Sequence, residues 1–247
     1  MHCPKCQALQ KDSNEICDAC GIVFSKYYQY HGQTEAVASS SEITYYDEEN
    51  HQGKSVYQLL FYREKEVSRI TLIVWAMVLA GLLVWNLLFI SSSIESNSVG
   101  QSFMHLINLP FHEAGHIFFR PLGAFMTSLG GTLMQILMPV ICLLVFLFKT
   151  RDPFAGSVAL WWTGQNFLDI APYINDARAG DLPLLGGNYG HSSPYGFHDW
   201  EFILNESGLL AYDHIIAKSS FILGSLIMLT ALFWGSLLIF RYYKKIN

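Results

Sequence analysis

The stretch Ile70–Ile90, ITLIVWAMVLAGLLVWNLLFI, runs for 21 residues without a charge. A helix needs about 20 apolar residues to cross the hydrocarbon core of a bilayer, so this stretch predicts a membrane helix. It begins too far into the chain to be a removable leader. Further apolar runs follow at 103–120, 131–148, 155–176 and 219–240. The expected fold class is therefore an all-α polytopic membrane protein with four to five membrane helices. Composition agrees: 51% of the 247 residues are hydrophobic, 15% aromatic and only 14% charged, with a mean hydropathy of +0.27. That balance excludes an ordinary soluble enzyme. Fifteen Lys and Arg against 20 Asp and Glu, a net charge of -5, exclude a nucleic-acid-coating protein, because phosphate binding needs clustered cations. The paired interrupted helices of a transporter do not recur in two halves.

Positive charges constrain the topology. Arg63, Lys65 and Arg69 precede the first run, Lys149 and Arg151 follow the third, and Arg241, Lys244 and Lys245 follow the last. All three clusters favour the cytoplasm. Five full crossings would put the chain ends on opposite faces, so one run is expected to be re-entrant. The run 103–120 is the candidate, being short and interrupted by Pro110 and polar groups. The turn-rich RPLGAFMTSLGG after it is expected to return as a small hairpin buried against protein.

Four of the five cysteines stand in the first twenty residues, as Cys3-Pro-Lys-Cys6 and Cys17-Asp-Ala-Cys20-Gly21. Two C-x-x-C turns aim four thiolates at one tetrahedral ion, and a glycine after the second pair relieves the tight turn. The pattern resembles a small zinc ribbon over residues 1–30. No secretory leader precedes Cys3, so a reducing compartment is expected rather than disulfides. Four thiolates leave no open position for water, which implies a structural or recognition role, and so short a segment depends on its metal to fold. Residues 31–54, with Glu35, Glu42, Asp47, Glu48 and Glu49, are expected to form a flexible acidic linker. Residues 55–247 then form the membrane domain, entered through a short interfacial helix within 55–69. Cys142, alone in an apolar run, is expected to be a small buried apolar residue.

The second run contains Pro110-Phe111-His112-Glu113-Ala114-Gly115-His116, an H-E-x-x-H pattern. Residues four apart project from one helix face, so both imidazoles can chelate one zinc. Glu113 can then take the proton of a water activated by the metal. Chance placement of nine His and eleven Glu yields this pattern on the order of once in a hundred such chains. Three ionisable groups within five membrane residues are costly without a metal.

Residues 103–176 resemble the core of the site-2 protease family of intramembrane zinc metalloproteases. In that family the H-E-x-x-H helix is followed by one membrane segment and then by a helix supplying an aspartate as third ligand. The same order here runs from His112–His116 through 131–148 to 155–176. The family's Leu-Asp-Gly is absent. This chain has Leu168-Asp169-Ile170 and, seven residues on, Asp176. The resemblance therefore implies Asp169 as third ligand, being deeper in the apolar run, with Asp176 as the alternative or as a partner that orients a ligand. Gln135 and Asn166 are read as interhelical hydrogen-bonding groups or donors to substrate. His191, His198 and Asp199 fall in the connecting segment 177–216. A histidine there is an alternative third ligand, but exposed loop histidines beside an interfacial Trp200 are the expected state.

The resemblance implies a zinc metalloendopeptidase that hydrolyses peptide bonds of membrane-associated substrates, with Glu113 as base. It would carry two zinc ions, one catalytic and one in the ribbon. Its partners would be a membrane protein or peptide substrate, the lipid bilayer and a protein recruited by the ribbon, with no nucleic acid. The expected location is multi-pass in a bacterial cytoplasmic membrane, ribbon in the cytoplasm. The rival expectations are a catalytically inactive pseudo-protease and a zinc-ribbon membrane scaffold or sensor.

Overall fold

The computed structural model describes residues 2–31, 55–63 and 66–246. The expected acidic linker, His31 apart, and Lys65 lie outside them. The chain divides into two units, Met1–Gly53 and Lys54–Asn247.

The first unit is built from two matching knuckles. In one, the amide of Cys3 donates to the carbonyl of Ala8 and that of Gln7 to the carbonyl of Cys3. In the other, Cys17 donates to Ile22 and Gly21 to Cys17, each at 2.9 Å. Isolated bridges His2–Leu9 and Ile16–Val23 close the two turns. The residue after each second cysteine must take positive φ: Gly21 at 70° and Gln7 at 59°. Glycine does this freely, whereas the side chain of Gln7 strains the first knuckle. Helix α1 (Phe24–His31) follows. Its Phe24 packs on Cys3 and Cys17, with Ile22 against them, in a very small core.

The second unit is helical. A short α2 (Val56–Phe61) precedes α3 (Arg69–Ile90), α4 (Phe103–Phe119), α5 (Ala124–Leu144), α6 (Pro153–Asn175), α7 (Asp199–Glu206) and α8 (Asp213–Ile246). Among the described residues, three helical stretches are long and apolar enough to cross a membrane: Arg69–Ile90, Ala124–Lys149 and Leu210–Ile246. They mark a membrane protein. Large apolar side chains such as Ile73, Met77, Leu226 and Phe233 are exposed on α3 and α8, as lipid-facing surfaces require. By contrast, α6 is buried nearly all round, polar residues included.

Small residues bring the helices together. A Cβ on Gly164 would lie 2.7 Å from the carbonyl oxygen of Gly224, so α6 and α8 meet backbone to backbone. Likewise a Cβ on Gly115 of α4 would lie 2.1 Å from the carbonyl oxygen of Gly130 of α5. Close approach of this kind supplies the packing that apolar side chains cannot provide between helices in lipid. The segment expected to form a separate hairpin therefore does something else. The chain turns at Gly123 (φ 97°) and enters α5 at once, using the Gly130-Gly131 pair for helix contact.

The basic clusters meet at one end. There Arg63 pairs with Asp152 at 2.9 Å and lies over the Trp75 ring, which stacks on Phe154 with centroids 4.4 Å apart. The α2 segment is tied down by Trp234, which donates to the carbonyl of Leu60, and by Arg241, which donates to the Tyr57 hydroxyl. The opposite end carries the connecting segment between α6 and α8, where Arg178 pairs with the fully buried Asp213 at 2.7 Å.

Candidate metal centres

The four cysteines converge in the first unit. Sγ of Cys3 lies 3.7 Å from that of Cys20, and Sγ of Cys6 lies 3.6 Å from that of Cys17. No pair is bonded as a disulfide. Zinc–sulfur bonds of about 2.3 Å place the corners of a tetrahedron about 3.8 Å apart, so this cluster can hold one such ion.

In the membrane unit, His112 and His116 project from one face of α4, their ring centroids 4.8 Å apart. The Nδ1–H of His116 donates to the carbonyl of Thr127 at 2.8 Å. The Nδ1 of His112 faces Oε1 of Gln135 at 3.0 Å. Both acceptors fix the proton on Nδ1 and leave each Nε2 free as a ligand. One carboxylate oxygen of Asp199 sits 3.2 Å from Nε2 of His112 and 3.3 Å from Nε2 of His116. Ligand bonds of about 2.0–2.1 Å require donor separations of about 3.3–3.4 Å around a tetrahedral ion, and the two separations to Asp199 are close to this. Glu113 groups with the two imidazoles, one ligand atom of each of the three lying within 4.8 Å of the others. Gly131 makes room, since a Cβ there would lie 2.6 Å from Nε2 of His112.

The carboxylate at the imidazole pair is thus Asp199, and neither Asp169 nor Asp176 is placed there. Asp169, 1% exposed, accepts from Gln135 Nε2 at 2.8 Å, Asn108 Nδ2 at 3.0 Å and His105 Nδ1 at 3.1 Å. It is linked to the imidazole pair through Gln135, whose other end receives His112. Gln135 therefore makes the interhelical bonds expected of it. Asn166 instead donates to the carbonyl of Trp162 within its own helix. Asp176 anchors the connecting segment: its carboxylate accepts the amides of Asp181 and Leu182 at 2.9 and 3.0 Å and faces Nε2 of His198 at 3.3 Å.

His198 is buried rather than exposed. Its Nδ1 accepts the amide of Glu201 as the cap of α7, which leaves Nε2–H to donate to Asp176. Asp199, the first residue of α7, is held in place by this cap. Burial alone would push the Asp176 carboxyl up, but His198 and the two backbone amides outweigh it and hold the group below its ordinary value.

His191, in contrast, is an exposed loop residue whose Nδ1 donates to the carbonyl of Gly180. Sequence reasoning missed His105 and Asn108, although His105, Asn108 and His112 recur at helical spacing as the polar stripe of an apolar helix. It also passed over Asp199, whose only local signal is its place directly after His198 at a helix start.

A cavity of about 260 Å³ opens onto this group, lined by His105, His112, Glu113, His116, Asp199 and a mainly apolar remainder that includes Tyr173, Leu184 and Trp200. The arrangement can bind a metal ion with one face open to a ligand. The chain matches no protein-family model, no curated protein and no solved structure.

Proposed function

We propose that the protein is a membrane-embedded zinc metalloprotease in which His112, His116 and Asp199 hold the catalytic ion and Glu113 is the general base. The observation that carries this is the convergence of His112 and His116 Nε2 on one oxygen of Asp199, beside a glutamate with no hydrogen-bond or ion-pair partner among the described residues, in a cavity. Zinc bound there would polarise a peptide carbonyl and acidify a water. Glu113 would take a proton from the attacking water as its oxygen adds to the carbonyl carbon. It then delivers the proton to the departing nitrogen as the C–N bond breaks, so no other proton donor is needed. Gln135 and the Thr127 carbonyl keep both imidazoles in the ligating tautomer throughout. A substrate helix hides its carbonyls in hydrogen bonds, so the cleaved segment must be unwound. The Cys3, Cys6, Cys17 and Cys20 cluster holds a second, structural zinc.

The basic end of the membrane unit belongs on the cytoplasmic side by the distribution of Lys and Arg. Asp169 lies six residues before the end of α6, about 9 Å along the helix from its terminus, and the cavity is roofed by the segment that follows α6. The site therefore opens toward the non-cytoplasmic face. Four cysteines without a disulfide suit a reducing compartment, so the ribbon is assigned to the cytoplasm.

The test is cleavage of an internally quenched apolar hexapeptide in detergent micelles, with zinc counted in parallel. Wild type should carry two zinc ions per chain and cleave. Glu113→Gln should keep both ions and lose at least 100-fold in rate. Undiminished cleavage by that variant would overturn the mechanism, and a single zinc at the cysteines would favour a scaffold.

A further inference from the structure

His105 is the residue of the cavity that the proposed mechanism leaves unused. Its Nδ1 faces both oxygens of the buried Asp169 at 3.1 and 3.2 Å, and its ring stacks on Tyr173 with centroids 6.4 Å apart. These contacts fix the plane of the ring and commit one nitrogen. Nε2 has no hydrogen-bond partner among the described residues, while His105 lines the same cavity as Glu113 and Asp199. An imidazole that lines a cavity, locked by a carboxylate at one nitrogen and unengaged at the other, is organised for a ligand, because in an apolar surrounding an unmade hydrogen bond is costly.

His105 precedes His112 by two turns of α4, about 10 Å along the axis. An extended peptide advances about 3.3 Å per residue, so a chain lying along α4 reaches from the metal group to His105 in about three residues. The wall between them includes Leu109, Ile170 and Leu184, which suits apolar side chains. Resting on the protease reading, we propose that His105 is a substrate-binding residue: its Nε2 hydrogen-bonds a backbone amide group of an extended apolar segment, about three residues from the bond cleaved. A protonated ring would donate to a carbonyl and a neutral one would accept an N–H, so a peptide backbone satisfies either form.

Asp169 then organises two imidazoles at once, His105 directly and His112 through Gln135. This makes the expected phenotypes separable. His105→Ala should leave zinc at two per chain and lower the affinity for a phosphinic analogue of the hexapeptide about ten-fold by calorimetry, with KM rising and kcat little changed. Asp169→Asn should weaken both peptide binding and the affinity of the membrane zinc. The decisive measurement trims the phosphinic peptide residue by residue from each end. In wild type, removing the residue that reaches His105 should cost the same ten-fold, and in His105→Ala it should cost nothing further.

His105→Asn, measured alongside, serves if the alanine variant proves unstable. Should either folded variant bind the full-length analogue as tightly as wild type, or lose affinity equally for every peptide length, the proposal is overturned. If wild type carries zinc only at its cysteines and binds no analogue, the protease reading itself has failed and this inference falls with it. If wild type binds and cleaves but His105 is silent, only the inference falls.

Discussion

The two candidate metal centres of this chain are made in opposite ways. In the ribbon, ligands as distant as Cys3 and Cys20 are only 17 positions apart, and each C-x-x-C sits in a knuckle closed by its own backbone hydrogen bonds. In the membrane unit two ligands come from one helix turn, but His112 and Asp199 are 87 positions apart. Asp199 arrives on a connecting segment fastened by His198 and Asp176. The cysteine unit has only a very small core, so its folding is expected to depend on an ion. The membrane centre draws its candidate ligands from helices packed by apolar and small residues, so an ion there is expected to contribute little to the fold.

That contrast can be broken in four ways. The largest effect is expected from Cys17→Ser, which should unfold residues 2–31 while leaving the membrane helices intact, because the ribbon's folding energy is its metal-binding energy, on the order of 10 kcal/mol. Limited proteolysis of the full chain, with zinc content falling from two to one, checks this. A ribbon that stays protected would show that it has another source of stability. Next, Asp199→Ala should empty the membrane centre with helical content unchanged by circular dichroism, whereas Asp169→Asn should only weaken zinc there, by about 10–100-fold, through its hold on Gln135 and His112. If Asp169→Asn empties the site and Asp199→Ala does not, the ligand assignment is reversed.

A smaller effect is expected from Gly131→Ala. Its methyl would overlap His112, so α4 and α5 must separate, at a cost of about 1–3 kcal/mol. A lower Tm together with weaker membrane zinc binding would show it, and an unchanged Tm would mean that the helices yield freely. The smallest is Gln7→Gly. Removing the side chain from a residue at positive φ should stabilise the ribbon by about 1 kcal/mol, seen as tighter zinc retention against a chelator. A loss instead would mean that the Gln7 side chain contributes more than its strain costs.

The helices were legible because the bilayer imposes a length and a composition on each. The run Ile70–Ile90 differs from α3 by one residue, 131–148 covers most of α5 and the helical turn that continues it, 155–176 ends one residue past α6, and 219–240 lies on α8. Where two signals competed, the weaker one decided. Gly123 through Gly131 looks like turn chemistry, yet only Gly123 turns, since in lipid glycine also serves close helix packing. The two imidazoles, Glu113 and the four cysteines could be picked out because their geometry is set within one helix turn or one knuckle.

Asp169 was drawn toward the metal for a sound reason, as a buried carboxylate must have partners. Those partners turned out to be His105, Asn108 and Gln135, and the partner of Asp176 turned out to be His198. By itself the sequence determined which residues are costly inside this protein and therefore need a partner or an ion. Which carboxylate faces which imidazole was decided by the tertiary structure alone. Side chains on α4, α5, α6 and the segment leading to α7 meet through packing, and no spacing along the chain encodes that distance.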